Sequence, residues 1–149
     1  MEKIASFEVN HLTLLPGLYV SRIDKMDDFT FTTFDLRFTR PNFEPVMDTS
    51  ICHTIEHLGA TYFRNEFPND TMYFGPMGCR TGFYLILKGK RSVEDTIQSI
   101  KECMKFIINF EGKIPGASAI ECGNYLDLNL DMGKYYAKKY LKILEEGNF

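Results

Sequence analysis

Apolar and polar residues alternate most clearly from Phe29 to Phe38 (FTFTTFDLRF), where phenylalanine and threonine favour extended backbone. The parity changes part-way: Phe29 and Phe31 hold odd positions, whereas Phe34, Leu36 and Phe38 hold even ones. Strand side chains point to opposite faces in turn, so this change predicts a bulge or twist near Thr32-Thr33, or two strand pieces. Asp35 and Arg37 then share the face opposite Phe34, Leu36 and Phe38. They read either as a solvated ion pair of small value or as an arginine held on a rigid strand to bind a carboxylate. Ahead of this strand, residues 1–27 read as extended segments and turns around Pro16-Gly17, and Pro41 and Pro45 mark the loop that follows it.

The period then changes. Ile51, Ile55, Leu58 and Tyr62 follow helical spacing and predict a helix from Ser50 to about Phe67, with Asp48, Thr49 and Ser50 as possible N-caps. Beyond the turn at Pro68-Asn69-Asp70, glycines and a proline surround Cys79 before a strand at Phe83–Leu87. Gly89 ends that strand, and Ser92-Val93-Glu94-Asp95 has the form of a capping box. Val93, Ile97, Ile100, Met104, Ile107 and Ile108 make an amphipathic helix reaching Phe110, with Cys103 packed beside the stripe. Leu126, Leu128 and Leu130 alternate, which puts Cys122 near the end of a strand. A last helix is expected from Met132 to Glu146, capped by Asp131 and stopped by Gly147. The pattern predicts an α+β fold: an antiparallel sheet packed against a few helices in two layers, as a single domain over residues 1–149.

Composition narrows the setting. The net charge of −3 gives no electrostatic reason to expect nucleic acid or an anionic membrane as partner. Acidic residues interrupt the start of the chain where an export signal needs an apolar run, and no apolar stretch is long enough to span a bilayer. The expected location is cytoplasmic. Reduced thiols or metal ligands therefore fit the four cysteines better than disulfides.

The chemistry concentrates at His53-Thr54-Ile55-Glu56-His57, which holds two of the chain's three histidines. A four-residue helical step returns to nearly the same face, so both imidazoles can grip one metal ion. Glu56, beside His57, can act as a base in this H-x-x-E-H arrangement. With His53 at zero on a helical wheel, His57 falls near roughly 40° and Glu56 near roughly −60°, while the apolar stripe falls at roughly 140–200°. The chemical face thus turns away from the helix's own core contact and needs a cover, from the sheet or from another subunit. Chance placement on a polar surface is the plain alternative. Catalytic metal sites commonly use three protein ligands and an open position, so a third ligand is required, Cys79 or Cys122. The remaining cysteine is then free to shuttle a proton with Glu56 beside a polarised carbonyl. His11, alone before Leu14-Leu15, reads locally as a structural residue.

FDLRF (Phe34 to Phe38), HTIEH (His53 to His57), PMGCRTGFY (Pro76 to Tyr84) and Cys122-Gly123, in that order, resemble the S-ribosylhomocysteine lyase family of autoinducer-2 synthases. Ser6-Phe7-Glu8 followed by His11 is similar to that family's opening segment. The resemblance implies cleavage of S-ribosylhomocysteine to homocysteine and 4,5-dihydroxy-2,3-pentanedione, the precursor of a quorum-sensing signal, within the activated methyl cycle. It implies His53, His57 and Cys122 as ligands of one divalent metal per subunit, Fe2+ with Zn2+ or Co2+ as substitutes. Glu56 and Cys79 become the proton-transfer pair, and Ser6, His11 and Arg37 line the substrate pocket. It also implies a homodimer with its sites at the interface. The chain departs from the family pattern at Thr39, often Cys, at Leu128, often His, and at Tyr73-Phe74-Gly75, which commonly reads I-D-I-S. Two other functions compete on the motif alone. One is a metallopeptidase of the H-x-x-E-H type. The other is a noncatalytic metal-stabilised binding protein in which Cys79 closes the coordination shell.

Overall fold

The computed structural model describes residues 2, 4, 7–147 and 149, so Ser6 lies outside the described residues. Strand β1 (Gly17–Met26) and strand β2 (Phe29–Arg37) form a hairpin, turned at Asp27 in left-handed backbone (φ 52°). Helix α1 (Thr49–Glu66) follows, then the hairpin of β3 (Thr71–Pro76) and β4 (Gly82–Lys88), helix α2 (Val93–Asn109) and helix α3 (Leu130–Glu145). The strands make one antiparallel sheet in the order β1-β2-β4-β3. This is the expected α+β arrangement, with HTIEH on α1.

Register explains which side of the sheet is packed. Phe34 pairs with Val20 and Leu85, and Leu36 pairs with Leu18 and Phe83. Of these, Phe34, Leu36, Leu18, Leu85 and Phe83 are fully buried, in one core with Ile55, Leu58 and Phe63 of α1, Ile100, Met104 and Ile107 of α2, and Tyr140 and Leu144 of α3. Each such side chain contributes roughly 1.5–3 kcal/mol of hydrophobic stabilisation. Tyr140 anchors α3 doubly: its ring stacks on Phe38 at 4.0 Å, and its hydroxyl donates to the Gly17 carbonyl at 2.9 Å. The capping box on α2 forms as read, with Ser92 and Asp95 satisfying each other's backbone N–H.

Four local expectations need correction. The irregularity of the first hairpin lies on β1, between Val20 and Arg22, and β2 runs unbroken. The parity change is instead absorbed by Thr32, which is fully buried on the core face with its hydroxyl donating to the Gly89 carbonyl at 2.8 Å. Residues 71–76, read only as loop, form β3. A glycine and a proline are tolerated there because β3 is an edge strand with a register shift between Thr71 and Tyr73. The alternating leucines form no strand, because no ladder partner is available to them. Leu126 is 79% exposed, Leu128 packs half-buried on the core, and Leu130 already belongs to α3. Finally, Asn129 caps α3 through its side chain, accepting from the Met132 N–H, and Asp48 starts α1 without a side-chain cap bond.

Asp35 and Arg37, on the sheet face opposite the helices, are not solvated: they are 7% and 2% exposed. Arg37 Nε donates to one Asp35 oxygen at 3.1 Å and an Nη group donates to the other. Burial pushes the Asp35 carboxyl above its ordinary pKa, opposed by Arg37 and by the nearby His11.

Candidate metal and thiol site

Helix α1 sits close enough to β3 that a Cβ on Gly59 would lie 2.3 Å from the Phe74 ring, so glycine is needed for this approach. With Ile51, Ile55 and Leu58 buried on one side, His53, Glu56 and His57 emerge on the other, half-buried. Within the chain, the irregular connection between α2 and α3 packs over the two histidines. Two of that segment's main-chain carbonyls reach the histidines: Asp127 O lies 2.9 Å from His53 Nδ1, and Pro115 O lies 2.7 Å from His57 Nδ1. Gly116 adopts φ 74°, and a Cβ there would stand 3.1 Å from His57 Nδ1.

A carbonyl only accepts, so both Nδ1 atoms carry a proton, and the neutral ring so held presents its lone pair at Nε2. That is the tautomer a metal requires, held by the carbonyl anchoring common around metal-binding histidines. The rings meet edge to face at 4.5 Å, and Cys122 Sγ lies 3.4 Å from His53 Nε2. The Asn124 backbone N–H donates to that sulfur at 3.4 Å. Ligand atoms of His53, His57 and Cys122 lie within 4.8 Å of one another. Two imidazoles and a thiolate form a donor set suited to zinc or ferrous iron. Among the described residues no fourth His, Cys, Asp or Glu joins the group.

Glu56 and His53 line a cavity of about 370 Å³ between α1 and residues 76–80, together with Cys52, Met77, Gly78 and Arg80. This volume admits a small polar substrate. Cys79 belongs to the same loop but turns its exposed side chain elsewhere, to a Thr81 hydroxyl 3.2 Å away and an Arg37 Nη1 at 4.0 Å. The structure therefore gathers the sequence-derived residues in two groups. His53, His57, Cys122 and Glu56 stand around α1, while Cys79, Arg37 and the half-buried His11 stand by the open face of the sheet. His11 Nδ1 is bonded to the Val9 carbonyl at 2.8 Å. The spacing arguments missed Thr81, Pro115, Asp127 and Asn124. Only Thr81 left a signal: two residues beyond Cys79 at a strand entry, it can share the same side. Backbone groups supplied by the other three carry none.

The cysteines differ in reactivity. Burial pushes Cys79 up, but the Thr81 hydroxyl, the Thr81 N–H and the Arg37 guanidinium outweigh it and bring the thiol below its ordinary value. Burial raises Cys52 to about 11 and Cys103 well above the usual range. Because the thiolate is the nucleophile, Cys79 should be alkylated at pH values where an ordinary thiol is mostly protonated, whereas Cys52 and Cys103 stay unmodified. Site-resolved iodoacetamide labelling of native protein across pH 6–9 checks this order; modification of Cys103 before Cys79 would contradict it.

Comparison with known proteins decides the family. The family description S-Ribosylhomocysteinase (LuxS) matches residues 4–148. The S-ribosylhomocysteine lyase of Finegoldia magna is 59% identical over 144 residues, covering 97% of this chain and 92% of that protein. The chain belongs to the S-ribosylhomocysteinase family. The lyase of Clostridium beijerinckii is 61% identical over 143 residues (95% and 90% covered), and that of Clostridium acetobutylicum 59% identical over 147 residues (97% and 93%). Full-length membership in this family removes the ground for the metallopeptidase reading, which rested on the H-x-x-E-H motif alone.

Proposed function

We propose that the chain, as one catalytic domain, is an S-ribosylhomocysteine lyase, a carbon–sulfur lyase that splits S-ribosylhomocysteine into homocysteine and 4,5-dihydroxy-2,3-pentanedione. The observation that carries the reading to the residues is the carbonyl-locked pair His53 and His57, each with a ring nitrogen within 4.8 Å of Cys122 Sγ, beside Glu56. These three side chains would hold one divalent metal, Fe2+ with Zn2+ or Co2+ as substitutes. When bound, it supplies Lewis-acid polarisation of the opened sugar's carbonyl and hydroxyl oxygens. A three-ligand set leaves room for substrate, which favours catalysis over a closed structural site.

The remaining work is proton transfer. The reaction moves the sugar carbonyl along the chain and then breaks the C–S bond by β-elimination, so protons must leave and return at carbon and oxygen. Cys79, inclined to thiolate, and Glu56, facing the cavity, are the two bases for those transfers. Ser6, His11 and Arg37 are assigned to the substrate's surroundings, Arg37 acting from its buried pair with Asp35. We further assign the protein as a homodimer with sites at the interface. Exposed apolar residues of the sheet's strands, among them Met26, Phe29 and Tyr73, support a surface awaiting a second copy, on the side where Arg37 and His11 stand. The protein is assigned to the cytoplasm and to the activated methyl cycle, the dione serving as the autoinducer-2 precursor; among the described residues no helix is long and apolar enough to cross a membrane.

The test is direct. Protein purified anaerobically and loaded with Fe2+ should release one homocysteine per S-ribosylhomocysteine, read with a thiol reagent. Absence of thiol release from metal-replete protein would overturn the assignment.

A further inference from the structure

We propose that Thr81 is the positioning residue that holds Cys79 in its reactive form, its hydroxyl joining the Arg37 guanidinium to the Cys79 sulfur. The inference rests on the lyase reading only in giving Cys79 a proton-transfer task; the linkage itself stands on geometry.

Thr81 is 4% exposed at the entry to β4. Its Oγ1 lies 2.7 Å from Arg37 Nη1 and 3.2 Å from Cys79 Sγ. A guanidinium has no lone pair to offer, so the first bond has one possible direction: Arg37 donates and Thr81 accepts. A hydroxyl carries a single proton. With its oxygen committed to Arg37, that proton is free to point at the sulfur, the other polar side-chain atom bonded to Oγ1 among the described residues. The chain of donors then runs Arg37, Thr81, Cys79, and a sulfur at its end is a far better acceptor as thiolate than as thiol. Arg37 is itself fixed by both oxygens of Asp35, so the relay begins on a rigid strand. The direct Nη1–Sγ separation of 4.0 Å is the outer limit of a sulfur contact. Thr81 is the nearer donor, and its bond to Arg37 is buried, which strengthens the polarisation that Arg37 passes to the hydroxyl facing the thiol.

Other groups facing the thiol leave this account intact. Asp35 stands behind Arg37, Tyr84 of β4 and Cys52 of α1 are close enough to interact with Cys79, and Arg80 adjoins it in the loop. Burial keeps Tyr84 and Cys52 protonated through neutral pH. Arg80 is exposed, and solvent screens its charge.

The experiment follows the rate of iodoacetamide labelling at Cys79 against pH, resolved by peptide mass spectrometry, in metal-loaded full-length wild type, Thr81→Val and Thr81→Ser. Valine keeps the shape and removes the hydroxyl; serine keeps the hydroxyl. The labelling midpoint is expected to rise by about one pH unit in Thr81→Val, about tenfold less thiolate near neutrality, and to return to wild type in Thr81→Ser. An unchanged midpoint in Thr81→Val overturns the proposal, as does an equal rise in a Thr81→Ser protein whose thermal unfolding matches wild type. Should Thr81→Val not fold, Thr81→Ala is read in its place by the same criteria. Labelling needs no turnover, so a wild type that fails to release homocysteine would refute the lyase reading and leave this result interpretable.

Discussion

Cys79→Ala is expected to keep its full complement of metal and to lose homocysteine release by about 10²–10⁴-fold, the range for removing a general acid or base. The expectation follows from the separation of the two groups of residues. Cys79 Sγ contacts Thr81 and Arg37, whereas the cluster proposed to hold the metal consists of His53, His57 and Cys122. Deleting the thiol therefore removes a proton carrier and leaves the ligands untouched. Metal analysis beside the thiol-release assay reads both halves. Loss of metal from Cys79→Ala would mean that this cysteine closes the shell, and the noncatalytic alternative would return.

The second large effect is at His57. His57→Ala removes one of the three proposed ligands and leaves the Pro115 carbonyl without its donor. Losing only an outer partner of a metal ligand commonly costs 10–100-fold in affinity, so losing the ligand itself should cost more. Protein purified under identical conditions should carry little metal and show no measurable turnover. It should also unfold at a lower temperature, because a metal bound to the native state at 100 times its dissociation constant contributes about 2.7 kcal/mol. Metal content equal to wild type would exclude His57 from the ligand set.

Much of this was legible in the residues. Helical spacing located α1 and α2, since both bury a continuous stripe, and a four-residue step brought His53 and His57 together as the wheel required. Strand β3 escaped because an edge strand tolerates Gly75 and Pro76, which in a central strand would break the ladder. The leucines at 126–130 misled because alternation describes a half-buried strand only when a neighbour exists to pair with it. Most of the unread part concerned distance along the chain. Asp127 and Cys122 approach His53 from 74 and 69 residues away, and no local pattern reports such a closure. Arg37 and Thr81, 44 residues apart, were each visible in a motif, but their bond depends on the antiparallel pairing of β2 with β4.

Both histidine rings are steered by main-chain oxygens, and this separates two kinds of sequence change. Every amino acid brings the same carbonyl, so exchanging the side chain of Pro115 or Asp127 leaves the oxygen that fixes each tautomer in place, provided the local path is kept. Inserting or deleting a residue between α2 and α3 slides those oxygens past the rings and disarms the site without altering a ligand. Apart from Cys122 and Gly116, the connection can therefore drift in composition while its length stays fixed.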